Sequence, residues 1–172
     1  MNGKKTILSA LLIVLTFVFV TGCGQSAEQK TLQAEINASI KQIDEQLLSL
    51  KQTEKGLSAD QAAFEAIQKR VGKSDSLLNA QVQEHAGLVK EYKKGTEELT
   101  TVFNTLSPLP DKLKESWKFS MSLMKEDYEK AKEKVDQVAA NAEVLVEKHD
   151  AIKEKLSKYQ QAQSEAAPAA QQ

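Results

Sequence analysis

The stretch SLLNAQVQEHAGLVKEYKKGTEELTTVFNTLSPLPD, residues 76–111, decides how this chain folds. One set of positions recurs along it: Leu78, Val82, His85, Val89, Tyr92, Thr96, Leu99, Phe103 and Leu106. The steps alternate between four and three, which keeps one stripe on one side of a helix. Ser74 and Asp75 stand before it as N-cap residue types, whose side chains accept from the first free backbone N–H groups. Ser107-Pro108-Leu109-Pro110-Asp111 ends it, because prolines remove backbone donors and clash with the preceding turn.

The same spacing extends outward on both sides. Upstream it runs Leu32, Ile36, Ile40, Ile43, Leu47, Leu50. Lys55-Gly56 reads as a helix stop, and Ser58 with Gln61 as a capping box that starts a short helix carrying Phe64, Ile67 and Val71 before Gly72. Projected by sevens, however, the first stripe lands on Leu57 and Phe64, so one kinked helix over about 28–71 is the alternative. Downstream, Leu113, Trp117, Met121, Met124, Tyr128, Ala131, Val135, Val138, Ala142, Leu145, His149, Ile152, Leu156 and Tyr159 share a face. At ~1.5 Å per residue, a helix over 112–160 exceeds about 70 Å.

No segment alternates with period two. The spacing therefore predicts an all-α fold, an elongated antiparallel three- to four-helix up-and-down bundle with coiled-coil-like packing. The number of helices depends on whether Gly56 kinks or reverses the chain. The bundle is expected over 31–160. A tail over 161–172, rich in Gln, Ala, Ser, Glu and Pro, is expected to be disordered.

The beginning of the chain has a different character. Lys4 and Lys5 precede an apolar run from Ile7 to Val20, and small residues lead into Cys23, the single cysteine. This order reads as a secretory signal peptide over 1–22. Its 14-residue apolar run rises only about 21 Å as a helix, short of a ~30 Å hydrocarbon core. Val20-Thr21-Gly22-Cys23 resembles the lipobox of bacterial lipoproteins. The resemblance implies cleavage between Gly22 and Cys23 and attachment of a diacylglycerol, with acyl chains such as palmitate, to the Cys23 thiol. Residues 23–30 would then be a lipidated tether, and two acyl chains on one residue suffice for stable anchoring. The alternative is an ordinary signal peptide with a cysteine nearby by chance.

Losing Lys4 and Lys5 with the leader takes the 23 basic residues to 21 against 24 acidic ones, a net charge of about −3. Weak acidity argues against nucleic acid as a partner. With Cys23 lipidated, neither a disulfide framework nor a thiolate metal site remains.

Cys23-Gly24-Gln25-Ser26, Glu97-Glu98-Leu99, Leu106-Ser107-Pro108 and Met124-Lys125-Glu126-Asp127-Tyr128 together resemble the cell-wall-binding lipoproteins of Gram-positive bacteria. The resemblance implies a helical-bundle surface lipoprotein without established catalytic residues. It places the domain at the outer face of the cell membrane.

The residues themselves offer little chemistry. His85 and His149 lie on core stripes of different helices, where a metal or proton site competes with imidazoles that simply set register. A bundle di-metal site needs a carboxylate three residues before each histidine, and Val82 and Val146 stand there instead. Glu97-Glu98 and Glu126-Asp127 point about 100° apart on a helix and read as solvated faces. No catalytic residue, cofactor or metal is expected. One apolar pair, Phe119 and Leu123, falls off the main stripe of the last helix. Either another helix covers it, such as the one bearing Phe64 and Ile67, or it forms a candidate binding patch with Trp117, Lys114 and Lys118 near the proline tip.

Two functions follow from different classes. The first is a non-enzymatic anchored lipoprotein whose tip binds cell wall or envelope polymer. The second is a helical interaction module docking on a membrane-bound envelope enzyme or transporter. A soluble-ligand receptor fares worse, because nothing suggests a roomy pocket. Self-association stays open on the coiled-coil periodicity.

Overall fold

The computed structural model describes residues 25–72, 75–115 and 118–166. It is an all-α bundle of three long helices and one short one: α1 (Ala27–Val71), α2 (Ser76–Leu106), α3 (Leu109–Glu115) and α4 (Lys118–Ala166).

α1 runs 45 residues without interruption, so neither the stop at Gly56 nor the start at Ser58 exists. Magnitudes explain the outcome. Glycine inside a helix costs about 1 kcal/mol relative to alanine. Carrying the helix on buries Leu57, Phe64 and Ile67, and each such side chain contributes about 1.5–3 kcal/mol. The capping box sits instead at the true start. Gln29 N–H donates to Ser26 Oγ at 3.2 Å, and Ser26 N–H donates to Gln29 Oε1 at 2.8 Å. Helix thus begins at Ala27, inside the segment expected to be tether. At the other end Gly72, with φ of +87°, closes α1 in a conformation open to glycine, its N–H donating to the Gln68 carbonyl at 3.0 Å.

Asp75 caps α2, its carboxylate accepting from Leu78 N–H at 2.9 Å; Ser74 lies outside the described residues. Near the C-terminal end of α2 the hydroxyls of Thr96, Thr100, Thr101 and Thr105 each donate to the carbonyl four residues back. These β-branched residues therefore stay helical with their polar atoms satisfied. The expected stripe is buried except that Leu88 and Val102 go deeper than Val89 and Phe103.

The prolines end α2 without sending the chain back. Leu109 and Leu113 of α3 join Leu32 and Ile36 in one core cluster, and Gln33 Nε2 donates to the Pro110 carbonyl at 3.0 Å. α3 thus carries on along α1, and the long helix expected over 112–160 is divided between Glu115 and Lys118. α4 then extends to Ala166, so helix replaces the expected disorder over 161–166; the rest of that tail lies outside the described residues.

Cross-helix bonds establish the directions. Gln68 Nε2 donates to Asn79 Oδ1 at 2.6 Å, beside the α1–α2 connection. At the opposite end, Gln33 meets Pro110. α1 and α2 are therefore antiparallel. Ser39 bonds Tyr128 at 2.9 Å, a separation of 89 residues, and Asp60 contacts His149 at the same separation. A constant offset over 21 residues, three heptads, means that α4 runs parallel to α1 in coiled-coil-like register. Two core clusters result. One holds Leu32, Ile36, Leu106, Leu113 and Tyr128, the other Leu57, Phe64, Leu78, Leu145 and Leu156.

Candidate functional site

The first candidate is the end of the bundle where α1 begins and α3 lies. Leu123, on α4, is 53% exposed. By the offset of 89 it stands level with residue 34, near the beginning of α1. Lys114 is exposed and donates to Asp111 Oδ1 at 2.7 Å, an i,i+3 pair that partly neutralises it. Lys118 and Phe119 open α4, but their side chains, like all of Trp117, Gly22 and Cys23, lie outside the described residues. The covering helix suggested for Leu123 is ruled out, since Phe64 and Ile67 belong to the other core cluster. Other exposed apolar residues (Leu48, Leu77 and Val144) stand at separate heights along the rod and form no patch with it.

The position of this end matters most. Ser26 caps α1 there, and Cys23 is three residues away, a reach of at most about 10 Å for extended chain. The proline tip therefore lies at the end where α1 begins, the end that the lipidation candidate precedes in sequence.

The second candidate lies in the other half. His85 on α2 is fully buried and His149 on α4 is 7% exposed. They meet, His85 Nε2 lying 2.7 Å from His149 Nδ1, with ring centroids 4.9 Å apart. Gln61 Nε2 donates to Glu65 Oε1 at 2.8 Å, which turns Gln61 Oε1 onto His85 Nδ1 at 2.6 Å. An amide oxygen only accepts, so Nδ1 of His85 carries a hydrogen. On the other flank His149 Nε2 lies 3.3 Å from Asp60 Oδ2, which also accepts from Lys153 Nζ at 2.7 Å. Phe64 closes the site with its ring edge-on to His85 at 4.8 Å. Burial, and secondarily the neighbouring His149, hold the His85 pKa below the ordinary 6.5.

Sequence reasoning put both histidines on core faces but did not pair them. Pairing needed the register, which follows from α3 extending the descending strand of the bundle beyond the prolines. Gln61 and Asp60 are not legible as histidine partners, because Ser58 with Gln61 carries the pattern of a helix start. Among the described residues no group of three or more His, Cys, Asp or Glu could hold a metal. The two imidazoles are hydrogen-bonded to each other.

Between α2 and α4 at mid-height lies an open groove of about 420 Å³, lined among others by Tyr92, Gly95, Thr96, Gln137, Asn141 and Ala142. Glu98 and Lys134 bridge the two helices at its margin at 2.8 Å, and that bond holds the Glu98 pKa below its ordinary value. Among the described residues no helix is long and apolar enough to cross a membrane. No protein-family model, curated protein or solved structure matches the chain.

Proposed function

We propose that this protein is a non-enzymatic surface lipoprotein, anchored through a diacylglycerol on Cys23 to the outer face of a cell membrane. In this reading its α3 end docks on a membrane-bound envelope protein. The observation that carries it is the shared end: exposed Leu123 and Lys114 lie at the end of the bundle where α1 begins, with Cys23 three residues before the Ser26 cap in sequence. An anchored rod would hold that patch at the height of membrane-embedded partners. The non-catalytic part is supported by the histidines, whose nitrogens are engaged by each other, Gln61 and Asp60 rather than directed into the groove.

The resemblance to cell-wall-binding lipoproteins supports envelope polymer as a second ligand class. On this geometry polymer is met by the opposite end, near Gly72 and Asp75. α1, with 45 residues, reaches about 68 Å at ~1.5 Å per residue and sets how far out that end stands.

The test uses the full chain in its native membrane, with fluorophores at Leu123→Cys or Leu77→Cys and a quencher confined to the lipid. We expect strong quenching at position 123 and almost none at 77. Equal quenching at both positions would sink the upright arrangement. Loss of membrane association in Cys23→Ala, with the rod still helical, checks the anchor separately.

A further inference from the structure

The buried His85–His149 pair has a proton requirement that its neighbours impose. Its four ring nitrogens face, in order, the Gln61 oxygen, each other and the Asp60 carboxylate. The Gln61 oxygen only accepts, so Nδ1 of His85 carries a hydrogen, while Asp60 faces His149 Nε2 at 3.3 Å, an ion-pair distance that a hydrogen there satisfies but does not require. One hydrogen is needed between the inner nitrogens, 2.7 Å apart. Two N–H hydrogens, the number on two neutral imidazoles, satisfy both bonds, and a third can be held facing Asp60; a fourth has no acceptor inside the pair.

We propose that this pair is a proton-counted latch between α2 and α4. It stays closed while the two rings hold no more than one added proton, and it opens when they hold two. A second proton puts N–H against N–H at a 2.7 Å contact and two cations side by side in the core, so the helices must part there. Without an added proton the pair keeps both hydrogen bonds, and only the 3.3 Å approach to Asp60 lacks a hydrogen. The charged groups acting on His85 are Asp60 from α1 and His149 and Lys153 from α4; Asp60 favours its charge, while Lys153 and His149 oppose it. α3 lies in the other half, with Leu32 and Ile36.

The sign follows from the depressed His85 pKa. A group that is harder to protonate in the folded state contributes stability that is present above the ordinary 6.5 and is lost as pH falls below it. Opening would loosen the half of the bundle holding Phe64, Leu78, Tyr92 and Leu145, and leave the half around Ile36, Leu106 and Tyr128 closed. The latch would thus give an extracytoplasmic rod an end that loosens in acid. The inference does not depend on the anchor.

Amide hydrogen exchange of the full chain in detergent, corrected for intrinsic exchange, tests this above and below pH 6.5. We expect protection over 57–67, 78–92 and 142–156 to fall by up to about tenfold per pH unit below that value. Protection around 32–43, 99–113 and 128–138 should hold. Parallel loss in both halves, or no loss in either, would overturn the latch. The double variant His85→Leu, His149→Leu should lose the selective acid effect; its persistence there would also overturn the proposal. If that variant does not fold, the comparison of the two halves in the native chain decides alone.

Discussion

Ser39 and Tyr128 illustrate how single polar residues place helices whose faces are otherwise interchangeable. Their hydroxyls meet at 2.9 Å across the parallel α1–α4 seam, while the tyrosine ring joins the apolar cluster around Ile36 and Leu106. A Tyr128→Phe variant keeps the ring and removes the bond. It should lower stability by about 0.5–1.5 kcal/mol, read as a shift in urea midpoint without a change in slope. The candidate patch was only partly legible at this scale. Spacing on α4 correctly put Leu123 off the core face, because rotation per residue is a local property. Which end of the molecule it occupies is not local, and sequence could not supply it.

Among the elements, α1 departs most from its sequence expectation. Gly56 and Ser58–Gln61 carry stop and start signals, yet the heptad stripe through Leu57 and Phe64 prevails because apolar burial outweighs one glycine and one cap. A Cβ at Gly56 would meet nothing within 4 Å. Gly56→Ala should therefore stabilise the protein by about 1 kcal/mol. Gly72, at positive φ, behaves oppositely: Gly72→Ala should destabilise by about 1 kcal/mol although its surroundings are equally open. Thermal unfolding followed by circular dichroism separates the two signs. If Gly56→Ala proved destabilising by a similar amount, a continuous α1 would be untenable.

For the whole molecule the consequence is length. A reversal at Gly56 would have folded the same residues into a shorter four-helix bundle. Continuous α1 instead gives a three-helix rod with α3 extending the middle helix. By the Gln68–Asn79 pair Leu77 stands level with residue 70 of α1 in the antiparallel pair, and by the offset of 89 Leu123 stands level with residue 34. Energy transfer between labels at these exposed positions should report about 50 Å along the rod. A distance near half of that would indicate the doubled-back arrangement.

Periodicity by itself determined that the chain is helical, which residues face inward, and that Gly72 and Asp75 bound a turn, because these depend on neighbours within a few residues. The leader expected over 1–22 and the lipobox resemblance rest on sequence alone, since they lie outside the described residues. Tertiary structure decided the rest. It carried α1 through Gly56 because burial against two partner helices exceeds the local signals. It let α3 continue past the prolines, which moved the register of α4. That register brought His85 onto His149 and put the proline tip beside the start of α1, and no local signal in the sequence encodes such an offset between distant helices.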